Sequence, residues 1–172
     1  MNICFVLSNF GHGGAERVVS IISSELARRG HHIFICLTDR DPLVFYKIAD
    51  DIEMSLLPTG SFINECLFHK SKRKIERYFD DKKIDIVVSM STGVGSIIAP
   101  ICRKKRIAYV HAERSDPNHT NSTVKAKIRW SILVRNASCI YLSSSPCIVG
   151  EASHIFLSKG LISIFSLSFN AI

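Results

Sequence analysis

The chain has 172 residues, enough for one domain that buries roughly 70% of its unfolded surface. Hydrophobic residues make up 47% and charged residues 22%, a balance that sets intrinsic disorder aside as the default. Lysine and arginine outnumber acidic residues by 22 to 15, which favours anionic partners without choosing among them.

Ile3 to Leu7 is a continuous apolar run, as in a strand covered on both faces. A glycine loop follows, and Ala15, Val18, Val19, Ile22 and Leu26 then recur at three- and four-residue steps. That spacing predicts a helix with one buried face, Glu16, Arg17, Ser23 and Arg28 turned outward, and Gly30 as its C-cap. His32 to Leu37 reads as a second strand and Ile52 to Leu57 as a third, stopped by Pro58. Glu65 to Lys83 reads as a basic amphipathic helix and Ile84 to Ser89 as a fourth strand. Val94 to Lys104 suits a helix that Pro100 would kink or shorten, and Arg106 to Val110 a fifth strand. A polar loop leads to a helix from about Thr123 to Asn136 and a strand from Ser138 to Leu142. Beyond Ser143 periodicity decays, with Ile162 to Leu167 as a last candidate strand.

Strands alternating with helices predict the α/β class: a Rossmann-like, open parallel sheet with helices on both faces. Ligands of such sheets bind beyond the carboxyl ends of the strands, here the loops after strands one, four and five. The six cysteines, Cys4, Cys36, Cys66, Cys102, Cys139 and Cys147, contain no CxxC pair, so buried free thiols fit better than disulfides or zinc ligands. No metal and no cofactor is expected. No basic segment precedes the first strand, so a secretory signal is not expected. The longest apolar stretch, Ile155 to Ile172, is interrupted by Lys159, Gly160 and serines and falls short of a spanning helix. A cytoplasmic location is expected, with at most peripheral attachment to the cytoplasmic face of the inner membrane.

Four segments bear residues suited to chemistry. Gly11-His12-Gly13-Gly14-Ala15-Glu16-Arg17 joins the first strand to its helix, where glycines allow close approach and free N–H groups favour an anion. The third glycine of a dinucleotide fingerprint would fall at Glu16, a poor neighbour for phosphate, although Asp39 imitates the ribose-binding acid. A turn that only lets the helix pack is the alternative. His111-Ala112-Glu113-Arg114-Ser115-Asp116-Pro117 follows the fifth strand and could orient a sugar hydroxyl, or simply be a salt-bridged loop. Ser91 and Thr92, in the loop Ser89 to Gly95, would line a cleft or cap the next helix. Lys70, Lys72, Arg73, Lys74 and Arg77 share a helix with Leu67, Ile75, Tyr78 and Phe79, which suits an anionic membrane surface or a solvated face. Nucleic acid is not an expected partner, because no recognised motif accompanies the charge. His12, His31, His32, His69, His119 and His154 have no partner at ligand spacing, and Trp130 reads as a packing residue.

Together, Asn2 to Leu7, the Gly11–Arg17 turn and the helix exit Glu25-Leu26-Ala27-Arg28-Arg29-Gly30-His31 resemble the opening of family 4 glycosyltransferases. The turn is similar to their GGAER text, and His111 to Pro117 resembles the SERNDP loop of members that build bacterial capsular or lipopolysaccharide glycans. Lys125 to Tyr141 resembles the helix and strand that follow, and Ser168 to Ile172 faintly resembles the IPNPI that ends the N-terminal domain. The resemblance implies the N-terminal, acceptor-side domain, residues 1–172, of a two-domain GT-B enzyme. Its expected partners are a glycan or lipid-linked acceptor and a donor-domain partner chain, with a nucleotide-sugar co-substrate held mainly by the other domain. Transfer would retain anomeric configuration without a metal. His111 is the implied catalytic residue. Gly11, Gly13, Gly14, Glu16, Arg17, Ser91, Thr92, Glu113 and Arg114 are the implied substrate contacts, and Lys70, Lys72, Arg73, Lys74 and Arg77 the membrane surface. Nothing follows Ile172, so a truncated or split enzyme, inactive alone, is expected; the alternatives are an inert remnant and a nucleotide-binding module of another class that uses Asp39.

Overall fold

The computed structural model describes residues 1–59, 70–113, 124–142 and 154–156. Its strands are β1 (Asn2–Leu7), β2 (His32–Leu37), β3 (Glu53–Leu56), β4 (Ile86–Ser89), β5 (Ala108–Glu113), β6 (Cys139–Leu142) and β7 (His154–Phe156). Its helices are α1 (Gly14–Arg28), α2 (Lys70–Asp81), α3 (Thr92–Lys105) and α4 (Val124–Asn136). They form one sheet in the order β3-β2-β1-β4-β5-β6-β7. The first six strands are parallel, and β7 pairs antiparallel with β6.

The strands alternate between two apolar layers because successive side chains point to opposite faces. Ile3, Phe5 and Leu7 of β1 meet Val19 and Ala27 of α1 on one face. Cys4 and Val6 join Ile75 and Phe79 of α2, Ile98 and Cys102 of α3 and Leu133 of α4 on the other. Helices therefore cover both faces of a Rossmann-like sheet, as the alternation of elements predicts.

Several boundaries differ from the sequence reading. β3 and β4 are shorter than expected, and the start of the expected helix at Glu65 and the candidate strand at Ile162 lie outside the described residues. β7, the antiparallel edge strand, has no counterpart in the sequence reading. α3 begins two residues early and runs through Pro100, held by the buried Ile98, Ala99, Ile101 and Cys102 around it. On α1, Ser23 is buried and Ile22 is exposed, the reverse of the expectation. The Ser23 hydroxyl satisfies itself by donating to the Ser20 carbonyl at 3.2 Å, so a serine is tolerated where the helix meets the sheet. Arg29 is the C-cap of α1, and Gly30 beside it takes the left-handed conformation at φ +82.

The largest shift concerns β5. Arg106 adopts φ +60 as the C-cap of α3, so the strand cannot begin there. Pairing with β6, His111 to Ile140 and Glu113 to Leu142, extends it at the other end. His111 to Glu113 are thus strand and not loop.

Cys4, Cys36 and Cys102 are buried free thiols and Cys139 is half-buried; Cys66 and Cys147 lie outside the described residues. The Cys4 and Cys36 sulfurs lie 3.4 Å apart on neighbouring strands. Burial pushes the Cys102 thiol up to about 12 and raises Cys4 well above the ordinary range, so both are held in the inert thiol form. Among the described residues no helix is long and apolar enough to cross a membrane, and no group of three His, Cys, Asp or Glu could hold a metal ion.

Candidate functional site

The sheet order reverses at β1, which has β2 on one side and β4 on the other. After β1 the chain enters α1 on one face, and after β4 it enters α3 on the other. Connections that leave in opposite directions open a crevice between them at the carboxyl ends of the strands. The fold thereby brings the Gly11–Arg17 turn and the Ser91–Thr92 segment to one crevice, although they are far apart in sequence.

Gly13 is the N-cap of α1, in extended conformation and without a side-chain cap bond. Its carbonyl accepts from the Arg17 N–H at 3.1 Å. The Glu16 carboxylate folds back over it, so closely that a Cβ on Gly13 would fall on its Oε2. Gly14 faces open space, and Arg17 is exposed. A carboxylate at a helix N-terminus complements the dipole and the free N–H groups. A phosphate arriving there would have to displace Glu16, whereas a hydroxyl-bearing ligand would be accepted by it. Gly11 is buried and its N–H donates to the Asn9 side chain at 3.1 Å, which fixes the turn.

Across the crevice, Ser91 caps α3 by accepting from the Val94 N–H at 3.4 Å. It remains half-buried, while Thr92 is buried at the start of the helix. The capping alternative therefore describes Ser91, and Thr92 has little surface left for a ligand.

His111 has 0% of its surface exposed. It lies on the face covered by α3 and α4, with Nδ1 3.0 Å from the Ser89 hydroxyl on the paired strand and its ring against Trp130 at 6.2 Å. The Ser89 hydroxyl also bonds the buried Tyr109 hydroxyl. A chain Tyr109–Ser89–His111 thus links β4 and β5 beneath α3, and each hydroxyl can donate in turn along it. A side chain without exposed surface cannot touch a substrate in this structure. The imidazole expected as a catalytic group is thus enclosed between β4, α3 and α4 in this structure. The Glu113 side chain and Arg114 lie outside the described residues.

Gly95 of α3 closes this network from above. A Cβ there would lie 2.6 Å from the Tyr109 hydroxyl, 2.7 Å from Leu133 Cδ1 and 3.1 Å from His111 Nδ1. Replacing Gly95 by alanine gains about 1 kcal/mol of helix propensity but forces contacts that cost roughly 1–3 kcal/mol. The net expectation is a lower urea midpoint for Gly95→Ala, whereas Gly14→Ala, which meets nothing, should shift it by no more than about 0.5 kcal/mol. A midpoint for Gly95→Ala at or above that of the parent chain would show that α3 does not press on the network.

On α2, Ile75 and Phe79 are each 1% exposed and belong to the core. The apolar side of this helix is therefore spent on the sheet and is not free to enter a bilayer. Its acidic residues Glu76 and Asp80 pair with Lys104 and Lys105 of α3, at 2.9 and 2.6 Å. Arg73, Lys74 and Arg77 are exposed and make no ion pair among the described residues. With Leu57, Tyr78 and Asp81 they line a cavity of about 440 Å³. Lys72 is half-buried, and the Lys70 side chain lies outside the described residues. What remains of the membrane reading is charge alone.

One surface feature escaped the sequence reading. The His12 ring stacks on Phe45, centroids 3.8 Å apart, beside the glycine turn. The signal was the unbroken run Leu43-Val44-Phe45-Tyr46 in an otherwise polar loop, with no helical or strand period to explain it.

The model of the glycosyltransferase family 4 domain matches residues 12–145. A comparison with curated proteins finds no match. Among solved structures, the chain is similar to sucrose-phosphate synthase from Thermosynechococcus elongatus, with TM-score 0.59 and 14% identity over 81% of this chain and 41% of that one. It is also similar to MurG of Acinetobacter baumannii, with TM-score 0.59 and 12% identity over 89% of this chain and 45% of that one. UDP-GlcNAc 2-epimerase from Methanocaldococcus jannaschii gives TM-score 0.52 and 14% identity over 84% of this chain and 40% of that one. At such identities the likeness speaks for the fold, a GT-B half, and the chain spans less than half the length of each of these structures. With the family match extending over most of its length, the chain belongs to glycosyltransferase family 4.

Proposed function

We infer that this chain is the acceptor-side half of a retaining glycosyltransferase that builds a bacterial surface polysaccharide such as capsule or lipopolysaccharide. The observation that supports it most is the family match over residues 12–145 on a fold whose crevice is framed by the glycine turn and the β4–α3 loop. In this reading Gly13 and Gly14 let the acceptor reach the backbone at the start of α1, and Glu16 accepts from its hydroxyls. Arg17 and Arg114 supply positive charge toward the nucleotide-sugar held by a second half, while Ser91 and Thr92 shape the opposite wall. The Tyr109–Ser89–His111 chain keeps the end of β5 in register. No metal or cofactor enters; stabilisation of the departing diphosphate falls to the second half. Arg73, Lys74 and Arg77 would hold the domain near an anionic cytoplasmic membrane surface, by an attraction of about 1 kcal/mol per cation that salt weakens.

The test is transfer from radiolabelled nucleotide-sugars to a lipid-linked acceptor pool, with and without an added donor domain from a relative. Label incorporated only in the presence of both halves supports the reading. Silence in both conditions, from protein shown to be folded, removes it and leaves an inert fold.

A further inference from the structure

A second feature of the crevice rim points to the chemical class of the acceptor, and so rests on the acceptor-side reading above. Four rings step outward from the core. Phe10 is fully buried, Tyr46 meets it edge-on at 6.2 Å, Phe45 meets Tyr46 edge-on at 5.1 Å, and His12 lies across Phe45 at 3.8 Å with an interplanar angle of 38°. The outer members are bare: Leu43, Val44 and Phe45 are 68%, 54% and 55% exposed, and His12 is exposed as well.

Three exposed apolar residues in a row are costly to keep in water unless something covers them. These are also held in place. The Phe10 N–H donates to the Leu43 carbonyl at 2.8 Å, the Phe45 N–H to the Phe10 carbonyl at 2.9 Å, and the Tyr46 hydroxyl to the His12 carbonyl at 3.3 Å. Phe10 and Val44 form a parallel bridge beyond the end of β1. The platform is thereby tied to the glycine turn, and its rings are ordered before any ligand arrives, which lowers the entropy cost of binding.

We propose that His12 and Phe45 form a pyranose subsite, with the rings stacking on the C–H face of one sugar of the acceptor. An aromatic face attracts weakly polarised C–H groups, and a sugar ring offers one such face together with hydroxyls at its rim. The ring nitrogens of His12 supply hydrogen-bonding atoms at the edge of the platform. The same loop carries Asp39, Arg40 and Asp41, all exposed, immediately before Leu43. Carboxylates and a guanidinium beside aromatic rings suit a polyhydroxylated ligand. They oppose the other occupant of an apolar tip, an anionic bilayer, because two carboxylates would be repelled by its headgroups and desolvated within it.

The experiment is saturation-transfer NMR on the full chain with a panel of methyl pyranosides of gluco, galacto, manno and N-acetylglucosamine configuration. Transfer to ring C–H protons of at least one glycoside is expected. It should fall by at least about threefold in Phe45→Ser and in His12→Ala, persist in Phe45→Trp, and be unchanged in Lys127→Ala, a change at an exposed position of α4. Phe45 is half out of the core, so these variants should keep the parent circular dichroism. No saturation transfer to any glycoside, or equal saturation transfer in Phe45→Ser, overturns the subsite. A response of the Phe45 signals to phosphatidylglycerol vesicles and not to glycosides overturns it too, in favour of a lipid-facing loop. Glycoside binding at Phe45 without glycosyl transfer under any donor half leaves the subsite standing and removes only the enzymatic reading. Transfer that survives Phe45→Ser undiminished does the reverse.

Discussion

Replacing His111 by alanine is expected to destabilise the domain by about 2–4 kcal/mol, because it opens a cavity and strips a buried hydroxyl of a partner. The imidazole has no exposed surface, touches Trp130, and is bonded through Nδ1 to Ser89. Its loss leaves Ser89 with the Tyr109 hydroxyl, so the network is broken at one end and not abolished. Urea unfolding would read the effect as a lower midpoint at an unchanged slope. His111→Asn, whose amide can still reach toward Ser89, should recover part of the loss. This separates two roles that an activity assay alone confuses. A positioning residue loses stability and transfer together and regains both with asparagine. A substrate-touching base loses transfer with little change in midpoint, and that result would reverse the assignment made from its burial.

The largest loss is expected from Phe79→Ala, about 3–5 kcal/mol for a fully buried phenylalanine. Phe79 and Ile75 are the fully buried side chains that seat α2 on the core beside the half-buried Tyr78, to which Phe79 lies edge-on at 6.4 Å. Domains of this size are stable by only about 5–15 kcal/mol, so the variant should unfold near the temperature at which the parent is comfortable. Thermal unfolding by circular dichroism reads it directly. The consequence for the surface matters as much. Arg73, Lys74 and Arg77 can be displayed as a fixed patch only while the opposite side of α2 is anchored. A loss below about 1 kcal/mol would mean that the helix is not seated there, and would return its apolar side to the membrane reading.

Much of the architecture was legible in the sequence because strand and helix periods differ and the breaks between them are marked. The uninterrupted run Ile3 to Leu7 announced a strand covered twice, and the three- and four-residue steps from Ala15 to Leu26 announced the helix after it. The boundaries failed where one element borrows from another. Nothing local to Ala112 or Glu113 shows that β6 will pair with them and carry β5 past the expected loop. Serine and isoleucine at positions 23 and 22 of α1 were assigned by polarity, but a hydroxyl that bonds its own helix can be buried as easily as a methyl group.

For the site, the sequence by itself determined the glycine turn and its carboxylate, since Gly13, Gly14 and Glu16 are neighbours and a helix start needs them within one turn. It also determined the family, through residues clustered in two short stretches. Only the tertiary structure decided that Ser91 caps a helix, that His111 is sealed beneath Gly95, and that His12 stacks on Phe45. Each of those facts is a distance between residues from different elements. Strand order and register set such distances, and the sequence period of any one element does not contain them.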